Sequence, residues 1–288
     1  MVMKTTQRVW LITGASTGFG RILSEQLLAS GHTVVATARK PEQIAELVAS
    51  YPETALALAL DVTDQAAIDA AVTRTIETFG HIDVLINNAG YGIAGAIEEV
   101  TEEEYMPVFE TNVFGLIRLT RAVLPYMRRQ RSGHIVNLSS IAGLVTSPGL
   151  GYYNTSKFAV EGFSQALYSE VAPLGIYVTI VEPGPFRTDF LGRSGVKAAN
   201  RIADYDETAG KTREYFASQD GKQPGDPVKA CKAIIEAVES PNPPKHLILG
   251  KIAYTRMSAN LDQWKEQLEA WREVSLGADF ETPAPEGN

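Results

Sequence analysis

From Val9 to Leu249 the chain alternates apolar runs of strand length with amphipathic segments of helix length. Strands joined by helix-length crossovers run parallel, and parallel strands are buried on both faces. The pattern therefore specifies an α/β architecture, a doubly wound, seven-stranded parallel sheet with helices on both faces. Strands are expected over residues 9–13, 33–38, 55–60, 84–87, 134–138, 177–182 and 246–249, with helices over 18–30, 42–50, 65–79, 102–131, 153–174 and 226–240. No repeat or linker interrupts them, so residues 1–250 read as a single domain.

Two segments break the rhythm. Residues 185–225 show no strand pattern and mix Phe186, Phe190, Tyr205, Tyr215 and Phe216 with many charges, which suits a lid over a site. Residues 251–288 form an extension in which Met257, Leu261, Trp264, Leu268 and Trp271 fall on one helical stripe, expected to dock on the body or on a partner subunit. The last eight residues read as disordered.

Composition narrows the function. A chain of 288 residues buries enough surface to need no crosslink, and its one cysteine, Cys231, reads as core. Four histidines without ligand spacing give no metal site to expect. The net charge of −8 argues against a nucleic-acid partner, and the longest apolar runs are too short to span a bilayer. The first residues lack a signal-peptide pattern, so a reducing, cytoplasmic location is expected. Arg128, Arg129 and Arg131 read as a solvated helix terminus, with a docking patch for an acidic carrier protein as the other reading.

Directly after the first strand comes Thr13-Gly14-Ala15-Ser16-Thr17-Gly18-Phe19-Gly20, running into an amphipathic helix. Glycines there let the backbone approach a diphosphate, which the helix N-terminus then stabilises. The architecture is thereby Rossmann-type. The second strand ends at Ala38 and is followed by Arg39 and Lys40, with no carboxylate to repel a 2′-phosphate, which predicts NADP(H) over NAD(H). Tyr153 and Lys157, one helical turn apart, share a face, and an ammonium near a phenol lowers its pKa. Ser140, thirteen residues before Tyr153, ends a strand where a hydroxyl faces the ligand crevice.

These motifs, with Asn87-Asn88-Ala89-Gly90, Asn112, and Pro183-Gly184 leading to Thr188, occur in the order and spacing of a known family. The chain resembles the short-chain dehydrogenases/reductases, in the subgroup marked by TGxxxGxG, NNAG and YxxxK. The resemblance implies Tyr153 as general acid and base and Lys157 as the residue that lowers its pKa and holds the nicotinamide ribose. It further implies Ser140 polarising a carbonyl and Asn112 anchoring a water. Cofactor contacts implied or expected are Gly14, Ser16, Thr17, Gly18, Phe19, Gly20, Arg39, Lys40, Asp61, Val62, Asn88, Ala89, Gly90, Tyr153, Lys157, Pro183, Gly184, Phe186 and Thr188. Asn87 is expected to tie strands together.

The expected activity is NADP(H)-dependent interconversion of a carbonyl and an alcohol, on a moderately bulky apolar or aromatic substrate. A 3-oxoacyl carrier-protein reductase, a non-catalytic NADP(H) sensor and an assembly protein docking through the tryptophan-bearing tail are the alternatives. Apolar residues on more than one side of the helices at 102–131 and 153–174 predict a homo-oligomer, a dimer or tetramer.

Overall fold

The computed structural model describes residues 7–280. In chain order its elements are β1 (Val9–Ile12), α1 (Gly18–Ala29), β2 (Thr33–Ala38), α2 (Ala45–Ala49), β3 (Ala55–Ala59), α3 (Gln65–Phe79), β4 (Val84–Asn87) and β5 (Gly92–Ala94). Then follow α4 (Glu102–Phe109), α5 (Leu116–Gln130), β6 (Gly133–Leu138), α6 (Gly151–Val171), β7 (Ile176–Pro183) and β8 (Gly195–Lys197). The chain continues through α7 (Lys211–Ser218), α8 (Pro227–Glu239), β9 (His246–Leu249), α9 (Lys251–Ala270) and α10 (Arg272–Leu276).

Seven strands form one parallel sheet in the order β3-β2-β1-β4-β6-β7-β9. Successive strand residues face opposite sides, and that alternation splits the core in two. Trp10, Ile12, Val34, Ala36 and Ile86 pack with Leu23 and Leu27 of α1 and Cys231 and Ile234 of α8. Leu11, Val35, Leu85, Ile135 and Val178 pack on the other side with Ile68 of α3, Leu119 and Val123 of α5, and Leu167 of α6. After β3 the chain crosses back to β4 on the far side of β1, so connections leaving β1 and β4 part in opposite directions and open a crevice at the C-terminal strand ends. Asn87 ties this region inward, its amide donating to Asn137 Oδ1 (2.8 Å) and Thr120 Oγ1 (2.9 Å).

Local chemistry sets several boundaries. Asp64 caps α3 by accepting from Ala66 N, and Gly80 ends it with a left-handed φ of 81°. Asp226 caps α8, whose first residue is Pro227.

The structure departs from the sequence reading in four places. The single helix expected over 102–131 is two, α4 and α5, joined by a π-helical stretch, Glu110–Gly115. At its end Gly115 approaches Val62 so closely that a Cβ would lie 2.7 Å from Val62 Cγ2. The expected helix over 42–50 is a 3₁₀ turn, Pro41–Ile44, followed by the single turn of α2. The lid is not free of strands, because β8 pairs in parallel with β5 in a separate two-stranded sheet. In the extension, Trp271 separates α9 from α10, and Leu261, Trp264, Leu268 and Trp271 are 55–65% exposed, off the chain's own body. The tail read as disordered, residues 281–288, lies outside the described residues.

Candidate active site

The crevice above β1 and β4 is one cavity of about 1270 Å³, lined on its outer side by the lid and by Arg256 at the start of α9. Its floor begins with the glycine-rich turn. Gly14 and Gly18 adopt left-handed φ values of 65° and 56°, and at Gly20 a Cβ would lie 2.5 Å from the Gly14 carbonyl oxygen. Only glycine fits there, because the obstacle is backbone. The neighbouring Asn88-Ala89-Gly90 turn is bolted to this one. Thr13 Oγ1 accepts from the amides of Asn88 and Ala89, each at 2.9 Å, and the Asn88 side chain donates to the carbonyls of Thr13 (2.8 Å) and Gly14 (3.1 Å). Asn88 therefore holds the turn, with its amide spent on backbone rather than free for a ligand.

At the N-terminus of α1, the cap residue Thr17 makes no side-chain capping bond, which leaves first-turn amides facing the cavity. Ser16, Thr17, Gly18 and Phe19 line this end, and Phe19 packs edge-on to Phe186 at 5.4 Å. Arg39 and Lys40 follow β2, are exposed and line the cavity, as do Asp61 and Val62 after β3. The Asp61 carboxylate accepts from Thr63 N (2.9 Å) and Oγ1 (2.7 Å). This cradle fits a dinucleotide: close backbone at the glycines, open amides for a diphosphate, and cations at the far end.

At the other end Tyr153 is 5% exposed and Lys157 6%. Lys157 Nζ donates to the Leu138 carbonyl at 2.7 Å and lies 5.8 Å from the Tyr153 ring centroid. The net direction for the phenol is upward, opposite to the expected lowering, and its causes are burial and Ser140, with no part from the ammonium. Burial pushes Tyr153 up to about 12, with the Ser140 hydroxyl beside it offsetting part of the rise. Burial also pulls Lys157 down to about 8, against the field of Glu161. Ser140 Oγ accepts from Ala142 N at 3.1 Å, fixing the hydroxyl at the end of β6. Pro183, Gly184, Phe186 and Thr188 complete the wall, and Phe190 tilts against Tyr153 at 5.4 Å.

Two expected site residues do not line the cavity, Gly20 and Asn112. Asn112 sits in the π-helical stretch, where its carbonyl accepts from Tyr91 N (3.0 Å) and its amide donates to Tyr91 O (2.9 Å) and Ser156 Oγ (3.1 Å). Those bonds occupy the side chain with protein groups, so it props the wall at Tyr91 from behind. Behind Lys157, Glu161 and Glu182 are buried beside His246, whose Nδ1 is 2.6 Å from Glu182 Oε1 and 3.9 Å from Glu161 Oε2. Burial raises both carboxyls, Glu161 to about 7, while the bond to Glu182 raises His246. Although three metal-ligand atoms converge here, the tight imidazole–carboxylate contact reads as a pairing of the exposed His246 with the buried Glu182.

Sequence reasoning missed Arg193, whose Nη2 donates to Thr17 Oγ1 at 2.7 Å, and it missed Ser147, Leu150 and Arg256 as lining residues. None of them belongs to a spaced motif.

Residues 8–198 match the short chain dehydrogenase family. The chain belongs to that family. It is 38% identical over 272 residues to oxidoreductase BOA17 of Botryotinia fuckeliana, covering 94% of this chain and 99% of the relative. It is 40% identical to a 3-ketodihydrosphingosine reductase of Bacteroides thetaiotaomicron, covering 85% and 88%. A solved short-chain dehydrogenase from Streptomyces avermitilis superposes with a TM-score of 0.89 at 44% identity, over 96% of this chain and all of that one. As a short-chain dehydrogenase the protein is an oxidoreductase that acts with NAD(P). Among the described residues no helix is long and apolar enough to cross a membrane.

Proposed function

We propose that the enzyme is an NADP(H)-dependent carbonyl reductase that interconverts a ketone or aldehyde and its alcohol, with Tyr153 as the proton donor in reduction. The observation that carries this reading is the buried phenol of Tyr153 beside Ser140 at the inner end of the cavity, with Lys157 one turn further along α6. A phenol held near 12 keeps its proton at neutral pH, yet it remains a stronger acid than the alcohol formed when a carbonyl is reduced. Ser140 Oγ accepts from Ala142 N and makes only a long 3.5 Å bond to the Pro183 carbonyl, which supports its donating to the substrate's carbonyl oxygen. The nicotinamide supplies the hydride when bound.

Arg39 and Lys40, exposed at the end of β2 and facing no carboxylate partner among the described residues, support a 2′-phosphate. The apolar lid cluster of Leu191 and Phe216, with Leu150 and Phe190 against it, supports a bulky apolar substrate. The relative named as a ketone reductase agrees with that. The carrier-protein alternative is less well supported, because Arg128, Arg129 and Arg131 end α5 beside the start of β6, at the N-terminal end of the strands, opposite the cavity. A cytoplasmic homo-oligomer is part of the reading. Exposed Phe114, Phe158 and the apolar stripe of α9 support association, and light scattering at 31.2 kDa alone would defeat it.

The test is a panel of aromatic, steroidal and aliphatic ketones with NADPH and with NADH, run on wild type and Tyr153→Phe. Wild-type turnover is expected to fall about a thousandfold in the variant, with NADPH affinity within about twofold. Retained turnover removes Tyr153 from the chemistry.

A further inference from the structure

The start of α9 brings to the cavity a cation that hydride and proton transfer do not use. Arg256 lines the same cavity as Ser140 and Tyr153. Its Nη2 donates to the carbonyls of Thr146 (3.0 Å) and Val145 (3.4 Å) and to Ser147 Oγ (3.0 Å), on the loop that joins Ser140 to Tyr153. Three acceptors on one nitrogen fix the guanidinium. Nε and Nη1 are left without a protein hydrogen-bond partner among the described residues, where the arginine salt bridges all belong to other arginines.

An arginine is never neutral in a protein, so a half-buried one on a cavity wall keeps a full positive charge facing whatever enters. Of the other charged lid residues on this cavity, Arg193 is bonded to Thr17 and Asp189 is exposed. The same end carries the apolar cluster of Leu150, Phe190, Leu191 and Phe216. A ligand that satisfies this wall has an apolar body and an anionic end. The N–H donors that Arg256 leaves free suit a carboxylate at that anionic end.

We propose that Arg256 recognises a carboxylate on the substrate, so that the enzyme acts on apolar oxo acids: a ketone or aldehyde, an aliphatic or aromatic body, and an acid group away from the carbonyl. This rests on the carbonyl-reductase reading of Tyr153 and narrows its substrate class.

The experiment compares a medium-chain keto acid, its ketone near one end and its carboxylate at the other, with the methyl ester of the same acid. The readout is the acid-to-ester ratio of kcat/KM. Wild type is expected to favour the acid by about tenfold or more, and Arg256→Gln to bring the ratio near one by raising KM for the acid with little change in kcat. Arg256→Lys, which keeps the charge, should keep part of the preference. A wild-type ratio near one overturns the proposal, as does an Arg256→Gln change that slows both substrates equally, the result a purely structural tie between α9 and the loop would give.

Thermal shifts of the NADPH-loaded protein with the acid or the ester repeat the comparison without turnover. Acid-selective stabilisation lost in Arg256→Gln supports the site, and equal or absent stabilisation overturns it. Acid-selective binding with no turnover of either compound counts against the reductase reading of Tyr153 and leaves Arg256 standing.

Discussion

The two ends of the cavity are built on different plans. At the nucleotide end, β1, α1, β2, β3 and the turn after β4 supply the site, and backbone bonds such as those of Thr13 and Asn88 lock their loops together. At the substrate end the wall comes from segments far apart in the chain: Tyr91, the 145–150 loop, the lid, and Arg256. The lid's anchor is a buried ion pair, Glu99 with Arg213 at 2.6 Å, supplemented by Glu99 bonds to the amides of Ala96 and Ile202. One end is rigid because its parts are neighbours, and the other holds its shape through a few long-range polar ties.

That contrast breaks down if a change at one end disturbs the other. The largest effect is expected from Gly20→Ala, where the new methyl meets backbone at the Gly14 carbonyl and the Asn88 amide. A loss of about 3 kcal/mol in stability, seen as a lower thermal midpoint, should come with weakened cofactor binding. Equal affinity for NADPH in this variant would mean the turn is not the rigid element described. Arg213→Ala should cost about 2 kcal/mol, because Glu99 loses its charged partner inside the lid. Here substrate KM should rise while cofactor affinity holds, and a parallel loss of both would show that the two ends are not independent.

Arg39→Asp sharpens the comparison on the nucleotide side. It should weaken NADPH by about 10- to 100-fold and leave NADH little changed, measured by fluorescence titration, and an unchanged preference would remove Arg39 from cofactor choice. The smallest effect is a pH dependence where the ends meet. Lys157 lies near 8, so its ammonium is complete below that pH and is lost as pH rises through it. Reduction should halve near pH 8 and fall further above, whereas a flat profile to pH 9.5 would show that its charge is not required.

The same contrast explains what could be read from the sequence. All seven strands of the main sheet were legible, since fully buried parallel strands are continuous apolar runs between helices. Gly14, Gly18, Ser140, Tyr153 and Lys157 were legible because a tight turn, a strand end and one helical turn impose fixed spacings. The π-helical break at Glu110–Gly115 was not, because its contacts, Gly115 with Val62 and Asn112 with Tyr91, join residues far apart in the sequence. Nor was β8, three residues that become a strand only by pairing with β5. Tyr153's raised pKa also escaped, since spacing reports which groups are near and says nothing of how completely water is removed.

The strand order has a consequence for the chain as it leaves the ribosome. β1 cannot find its second neighbour until β4 has been made, some seventy residues later, and β9, which covers the exposed edge of β7, follows that strand by about sixty residues. At about 5–20 residues per second, several seconds pass between the synthesis of β7 and that of β9, with the Ile180–Pro183 edge bare. Arg256 arrives only after that edge is sealed. A chain halted before residue 246 would leave the Ile180–Pro183 edge of β7 without its partner strand, an open edge of the kind that recruits other strands or a chaperone.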